Sequence, residues 1–136
     1  MANTMMKTII FLLLLDISQT FVSGKCITGY IHVNITNNLH SNNPPLKLRC
    51  KAKDDDLGYQ TVLVNQQFSW RFCESFFGKT LYFCHLYWGQ KQSVFDAFRG
   101  KFIHTSPSKN YFSVRDNGIY YRNDMEAIFV YKYGWK

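Results

Sequence analysis

Apolar and polar side chains alternate along several short segments of the chain. Within residues 46–53, the apolar positions Leu46, Leu48, Cys50 and Ala52 are separated by basic residues. Because successive side chains of a strand point to opposite faces of a sheet, this pattern predicts a strand with one buried face and one solvated face. Similar patterns predict strands at residues 31–36, 60–64, 68–73, 80–88, 111–115, 119–122 and 128–133, and in a run through Val94, Ala97 and Phe98 that ends at Gly100.

Turn-forming residues separate the predicted strands. Asp116-Asn117-Gly118 predicts a tight hairpin, because Asn-Gly suits a two-residue turn. The three aspartates at 54–56, followed by Gly58, predict another turn. Residues 74–78 are expected to form a loop or a single helical turn, whereas residues 80–88, apolar on both faces, are typical of a central strand. The chain is therefore predicted to be all-β, a small sandwich of about eight short strands with at most short helical turns.

The N-terminal segment has the features of a secretory signal peptide. Lys7 precedes a seven-residue apolar core at 9–15, and Val22-Ser23-Gly24 offers small residues for cleavage. The apolar core is shorter than the roughly 20 residues that span a bilayer, so the mature form is expected to have no membrane span. The alternative is a buried first helix. We expect a signal peptide at 1–24, one domain at 25–136, and a secreted, extracellular product.

The charge of the chain bears on the partners it could meet. The formal net charge is +7, and it stays +7 after cleavage because the removed segment carries one lysine and one aspartate. A basic secreted protein favours acidic partners, such as an acidic polysaccharide or an acidic receptor surface, although the same charge also serves solubility. The basic residues are scattered without an arginine-rich tail, so no nucleic acid is expected as a partner.

Four cysteines and one sequon agree with export. Cys26, Cys50, Cys73 and Cys84 all lie in the predicted mature chain. An even number of cysteines in an exported protein predicts two disulfides that brace the fold, and three connectivities are open. Asn34-Ile35-Thr36 is an acceptor sequence for N-glycosylation, which predicts a glycoprotein modified at Asn34.

No residue pattern indicates catalysis, a metal or a cofactor. The aspartates at 54–56 invite a calcium interpretation, but consecutive residues of an extended chain do not converge, so a turn with a salt link to a nearby lysine is favoured. None of the four histidines lies in a recognisable acid–base motif, and His85 is read as a packed core or edge residue. No zinc spacing, phosphate loop or hydrolase motif is present. The chain is therefore predicted not to be an enzyme.

Several segments together resemble one family. The sequences LKLRCKAKDDDLG and TLYFCHLYW are the most specific, and YIHVNITNNL, FSWRFCESFFGK and VRDNGIY accompany them in the same order, from residue 30 to about 120. They are similar to the plant self-incompatibility protein S1 family, also called S-protein homologues. The resemblance implies a small β-sandwich with short helical pieces, and a secreted protein that acts as a ligand for a receptor on another cell.

The cysteines depart from the pattern of this family. Members carry a CxxC motif shortly before the hairpin, where this chain has Pro107 and Asn110, while Cys26 and Cys73 are additional. Relative to that pattern, either Cys50 pairs with Cys84 and Cys26 with Cys73, which is the favoured arrangement, or each cysteine takes a new partner. The same departure bears on the geometry of the 100–110 loop.

These observations lead to one functional hypothesis and two alternatives. The hypothesis is a secreted, non-enzymatic recognition protein. A cell-surface protein receptor would bind its loops, with 37–45 and 101–110 as the candidates. The candidate contact residues are Lys101, His104, Ser106 and Lys109. The first alternative is a carbohydrate- or cell-wall-binding module that uses exposed aromatic residues such as Tyr120 and Tyr131. The second is a small secreted hydrolase or ribonuclease.

Overall fold

Nine β-strands form the regular structure of residues 26–102 and 105–136, the part of the chain that the computed structural model describes. The described residues contain no helix. The strands are β1 (Tyr30–Asn37), β2 (Leu46–Ala52), β3 (Asp55–Val62), β4 (Gln67–Cys73), β5 (Leu81–Trp88), β6 (Lys91–Arg99), β7 (Lys109–Arg115), β8 (Gly118–Asn123) and β9 (Val130–Tyr133).

The strands form two sheets that pack face to face. The five-stranded sheet has the order β4-β1-β7-β8-β9, and the four-stranded sheet has the order β3-β2-β5-β6. All neighbouring strands are antiparallel except β1 and β7, which run parallel with His32 opposite Lys109. The predicted all-β sandwich is confirmed, and β5 is a central strand as predicted because it lies between β2 and β6.

The core lies between the inner faces of the two sheets. Alternate residues of β1 and β5 are buried, so in these strands the period-2 pattern of the sequence corresponds directly to inside and outside. Aromatic rings bridge the layers: Phe95 of β6 lies 5.1 Å from Phe112 of β7, and Phe72 of β4 lies 4.4 Å from Tyr82 of β5, measured between ring centroids. The spacing of two packed sheets, about 10 Å, suits such rings.

The turn predicted at the three aspartates lies earlier than expected. Lys53 and Asp54 form the turn, and β3 already begins at Asp55 rather than at residue 60. The reason is a long-range pairing: Asp55 and Asp56 lie opposite Ala52 and Lys51 of β2, with a bulge between Arg49 and Lys51. Local turn propensity therefore gives way to cross-strand pairing at this position.

The loop before β7 is also shorter than expected. Lys109 and Asn110 belong to β7, because they pair with His32 and Val33 of the parallel strand β1. Residues 74–80, for which a helical turn was one of two possibilities, form an irregular loop closed by a hydrogen bond from the Gly78 N–H to the Ser75 carbonyl, 3.0 Å. The predicted hairpin at Asp116-Asn117-Gly118 is present between β7 and β8.

Two disulfides join the four cysteines. Cys26 pairs with Cys73 and Cys50 with Cys84, the arrangement that the sequence favoured. The Cys50–Cys84 bridge links opposing residues of β2 and β5 and is fully buried. The Cys26–Cys73 bridge attaches the segment before β1 to the end of β4. One bridge thus lies in the core, and the other holds one end of the sandwich.

The predicted signal peptide at 1–24 lies outside the described residues and stays a prediction. In residues 26–102 and 105–136, no helix is long and apolar enough to cross a membrane.

Candidate recognition surface

The two predicted recognition loops lie at opposite ends of the sandwich. Loop 37–45 follows the last residue of β1, whereas the loop that ends at Ser108 precedes the first residue of β7. Because β1 and β7 run parallel, the end of one strand and the start of the other lie at different ends of the sheet. A single partner that covers one end of the sandwich therefore contacts only one of these loops.

Loop 37–45 is fastened to its surroundings by side-chain hydrogen bonds. The buried Asn37 donates from Nδ2 to the Val62 carbonyl, 2.7 Å, and its Oδ1 accepts from the Leu39 N–H, 2.9 Å. His40 Nδ1 lies 2.7 Å from Asp116 Oδ2 on the β7–β8 turn. Leu39 is buried in the core. Much of this loop therefore serves the fold.

Loop 74–80 and the residues after β6 meet at the other end of the sandwich. A side chain at Gly78 would place its Cβ 2.5 Å from the carbonyl carbon of Lys101 and from the nitrogen of Phe102, so the two backbones touch. Gly78 also has φ of +69°, a conformation that favours glycine. The Gly100 N–H donates to the Thr80 carbonyl, 2.7 Å. The two segments thus form one continuous surface.

This surface carries three solvent-exposed phenylalanines, which we call the phenylalanine patch. Phe76, Phe77 and Phe102 are 66%, 64% and 75% exposed, and the rings of Phe76 and Phe77 meet edge-on, 5.5 Å apart. Exposed lysines, Lys79 and Lys101, lie beside these rings in the chain. A cluster of exposed large apolar side chains with a basic border is typical of a contact surface for another molecule. The sequence had not indicated this patch.

The predicted contact residues do not form one group. Lys101 belongs to the edge of the phenylalanine patch. Ser106 is half-buried, and its Oγ has no hydrogen-bond partner among the described residues. Lys101 and Ser106 both line a cleft of about 330 Å³ between β6 and the β7–β9 region. Lys109 lies on β7 and faces outward from the five-stranded sheet. His104 lies outside the described residues.

A cleft of about 630 Å³ opens beside the β2–β3 turn and the start of β5. Within it, the hydroxyl of buried Tyr82 donates to Asp55 Oδ2, 2.5 Å. Burial, followed by the hydrogen bond to Asp55, raises the pKa of Tyr82 well above that of an ordinary tyrosine. Burial also raises the pKa of Tyr121 and of Tyr133.

These shifts predict that three tyrosines ionise late, at a pH above the ordinary tyrosine pKa. A tyrosine whose pKa is higher in the folded state than in the unfolded state stabilises the fold at a pH below the ordinary tyrosine pKa of about 10. This stabilisation is lost as the pH rises from that value through the folded-state pKa. We expect Tyr82, Tyr121 and Tyr133 to ionise only above the ordinary tyrosine pKa, together with unfolding, when tyrosinate absorbance and circular dichroism are followed in parallel. Asp55→Asn should bring forward the ionisation of Tyr82. A single early transition of a folded protein would contradict the assignment.

Two of the three aspartates contact side chains of the protein, Asp55 at Tyr82 and Asp56 at Arg49. Asp56 binds Arg49 through two side-chain hydrogen bonds and accepts from the Gly58 N–H, 2.9 Å, as in an Asx turn. Arg49, followed by the Gly58 N–H, lowers the pKa of Asp56 to about 2. The predicted turn bond is present, but the partner of the salt link is Arg49, so the prediction of a lysine was wrong. No group of three metal-ligating side chains occurs within residues 26–102 and 105–136.

The described histidines are spread over separate surfaces. His32 lies on the outer face of β1, and His40 contacts Asp116. His85 Nε2 lies 2.8 Å from Gln92 Oε1, and its ring stacks on Tyr87 at 4.1 Å. No two of these three residues share a hydrogen bond among the described contacts. His85 is thus half-buried on the outer face of β5, held by its neighbours.

Asn34, the predicted glycosylation site, lies on the outer face of β1. Its Nδ2 donates to Gln67 Oε1, 2.8 Å, and to Ser69 Oγ, 2.9 Å. A glycan attached to this nitrogen would replace one of its hydrogens and displace one of these bonds. Modification of Asn34 stays a prediction.

The sandwich geometry and the order of its segments agree with a known family. A family model described as plant self-incompatibility protein S1 matches residues 32–135. This chain belongs to the plant self-incompatibility protein S1 family. The match includes all of the strands except the first two residues of β1.

Members of the S1 family from Arabidopsis thaliana match this chain over different lengths. S-protein homolog 8 is 32% identical over 131 residues, which cover 93% of this chain and 96% of the relative. S-protein homolog 2 is 34% identical over 108 residues, 76% of this chain. The chain spans only 66% of the length of S-protein homolog 2 and 49% of S-protein homolog 29.

A solved structure has the same fold. The solved protein is a self-incompatibility protein homologue, and these homologues are described as a widespread family of small, highly stable, secreted proteins from plants. The TM-score is 0.66 at 18% identity, and the alignment covers 79% of this chain and 96% of the solved chain. At this identity the similarity supports the fold of this S1-family member.

Proposed function

We propose that this S1-family chain is a secreted, non-enzymatic recognition protein, and that a cell-surface protein binds it at the phenylalanine patch. Membership of the family supports the class of function, and the description of the solved relatives as secreted plant proteins supports the location. The single observation that carries the proposal is the exposure of Phe76, Phe77 and Phe102 at one end of the sandwich.

The size of these side chains explains why they suit a partner. A phenylalanine buries 150 Å² or more when it is covered, and such rings dominate the energetics of protein interfaces. Here the rings are largely exposed to solvent at one end of the sandwich. A partner that covers the patch would remove this apolar surface from water.

A disulfide, a hydrogen bond and a close backbone contact support the patch. The Cys26–Cys73 disulfide holds the end of β4 directly before loop 74–80, and Thr28 Oγ1 donates to the Glu74 carbonyl, 2.6 Å. The backbone contact at Gly78 fixes the loop against Lys101. A surface that is ordered before binding loses less conformational entropy when it binds. Lys79 and Lys101 would favour a partner with an acidic border.

Binding to plant protoplasts tests the proposal. Labelled secreted protein is expected to bind saturably, and the variant Phe77→Ala/Phe102→Ala/Lys101→Ala is expected to bind more than about tenfold more weakly, because truncation of interface hot spots costs that much or more. Its melting temperature should stay nearly unchanged, since all three side chains are exposed.

A matched control removes the same kinds of side chain elsewhere. Tyr59→Ala/Val94→Ala/Lys47→Ala truncates three exposed residues of the four-stranded sheet and should bind like the parent protein. Protease treatment of the protoplasts should abolish binding if the partner is a protein. Equal losses in both variants, or full binding to protease-treated cells, would contradict the proposal. Hydrolysis of RNA by the purified protein would contradict its non-enzymatic part.

A further inference from the structure

The outer face of the five-stranded sheet carries a group of basic side chains, which we call the cationic face. Arg71 of β4, His32 of β1 and Lys109 of β7 are opposite one another on three adjacent strands. Arg122 of β8 and Arg115 of β7 continue the face towards the β8 side. All five side chains occupy outward positions of their strands.

Each arginine of the cationic face lies over an aromatic ring. The guanidinium carbon of Arg71 is 4.4 Å from the ring centroid of Tyr30, that of Arg115 is 4.1 Å from Tyr120, and that of Arg122 is 4.5 Å from Tyr111. Such contacts stabilise the cation and restrict its rotation. The arginines are therefore held in place before any ligand arrives, which lowers the cost of binding.

Carboxylates do not neutralise these arginines. The ion pairs of the described residues are His40–Asp116, Arg49–Asp56 and Arg99–Asp96, and none of them involves the cationic face. No outward position of β1, β4, β7 or β8 is an aspartate or a glutamate. Asp124 borders Lys109 at the end of the row and accepts from Ser108 Oγ, 3.2 Å. The outward positions of the face thus carry an excess of positive charge, which favours an anionic partner.

A groove of about 380 Å³ runs along this face beside β1. Its outward lining combines the cations Arg71 and Lys109 with His32 and the neutral polar side chains of Asn34, Ser69 and Tyr111. Amide and hydroxyl groups of this kind bind neutral hydroxyls, whereas the arginine fork fits a carboxylate. The combination suits a ligand that presents both groups at short intervals.

We propose that the cationic face binds an acidic polysaccharide, a chain of sugars that carry carboxylates. Neighbouring strands lie about 4.8 Å apart, so Arg71 and Lys109 are about 10 Å apart with His32 between them. A polysaccharide that crosses the strands would meet a cation at each end of this row, with His32 between them. The hydroxyl-binding side chains Ser69, Asn34 and Tyr111 form the next row along the same three strands. This site is separate from the phenylalanine patch and does not depend on a protein receptor.

The cationic face suits two other anionic partners, single-stranded nucleic acid and an anionic bilayer, less well than a polysaccharide. Single-stranded nucleic acid is bound through free aromatic faces on which bases stack, but a guanidinium already covers a face of Tyr30, Tyr111 and Tyr120. A bilayer surface is bound by apolar side chains that enter it, and the groove has no exposed aliphatic side chain among its described lining residues.

Titration with an oligosaccharide of galacturonate tests the site. The protein is produced without N-glycosylation, because a glycan on Asn34 would lie in the groove. We expect binding that weakens with salt, and the variant Arg71→Gln/Lys109→Gln/Arg122→Gln is expected to bind more than about tenfold more weakly, because hydrogen bonds to charged groups are the strong ones. The fully methyl-esterified oligosaccharide should bind weakly or not at all.

The control variant removes the same net charge at other places. Lys47→Gln/Lys53→Gln/Lys79→Gln also loses three exposed cations, so it should keep most of the affinity if the site is local. Equal losses in the two variants would show attraction by net charge alone and overturn the proposal. Equal binding of the methyl ester, or tighter binding of single-stranded DNA or of phosphatidylserine vesicles, would also overturn it. Thermal unfolding of both variants shows that the losses do not come from misfolding.

Discussion

Replacement of Cys50 and Cys84 together by alanine is expected to lower the free energy of unfolding by at least about 4 kcal/mol. The bridge joins residues 34 positions apart, and loop closure in the unfolded chain accounts for about that much. Both residues are fully buried, so the loss of two sulfur atoms from the core adds a packing cost. Since small domains have about 5–15 kcal/mol in total, unfolding in urea should show a large shift.

The second bridge provides the matched comparison. Cys26 and Cys73 are 47 positions apart, so the loop contribution is again about 4 kcal/mol. Cys73 is exposed and Cys26 half-buried, so Cys26→Ala/Cys73→Ala should lack the packing cost and remain more stable than the core variant. A larger loss at Cys26–Cys73 would contradict this role of burial. Peptide mapping without reduction checks both pairs, and any free thiol would contradict them.

The strands were predictable wherever one face of the sheet meets solvent. In β2, burial at Leu46, Leu48 and Cys50 alternates with more exposed basic positions, so the sequence carries the structural period directly. The Asn-Gly hairpin was predictable for a local reason, because the turn residues themselves determine the conformation. The fold class follows from such local signals repeated along the chain.

Pairing between distant segments was not predictable in the same way. Asp55, Asp56 and Gly58 have the composition of a turn, yet they lie in β3, because Asp55 and Asp56 pair with β2 and Arg49 binds Asp56. The parallel pairing of β1 with β7 leaves no local pattern either. It decides that loop 37–45 and the loop before β7 lie at opposite ends, and so it separates the two loops that the sequence suggested for recognition.

The candidate surfaces were missed for the same physical reason. For Phe77 and Phe102, sequence alone does not separate core residues from exposed ones, and the backbone contacts at Gly78 and Gly100 bring them to one end. The arginines of the cationic face come from β4, β7 and β8 and are scattered along the sequence. Their proximity is a property of strand order, which charge patterning along the chain does not contain.

Phe112→Ala is expected to destabilise the protein by about 3–5 kcal/mol, the usual cost of truncating a buried phenylalanine. Phe112 is only 1% exposed, and its ring lies 5.1 Å from Phe95 of the opposite sheet and 5.1 Å from Tyr121 of the neighbouring strand. Truncation would therefore open a cavity between the two sheets, where three aromatic rings meet. Equilibrium unfolding in urea measures the change, and Phe112→Leu should lose less because it leaves a smaller cavity.

Phe102→Ala removes the same atoms from a surface position and is the matched control for this cost. Because Phe102 is 75% exposed, its truncation should change the free energy of unfolding by no more than about 0.5 kcal/mol. The two substitutions thus separate the stabilising role of an inner-face ring from the binding role proposed for a ring of the phenylalanine patch. A large loss of stability in Phe102→Ala would mean that the patch is packed in solution, and a small loss in Phe112→Ala would mean that the sheets do not depend on this ring.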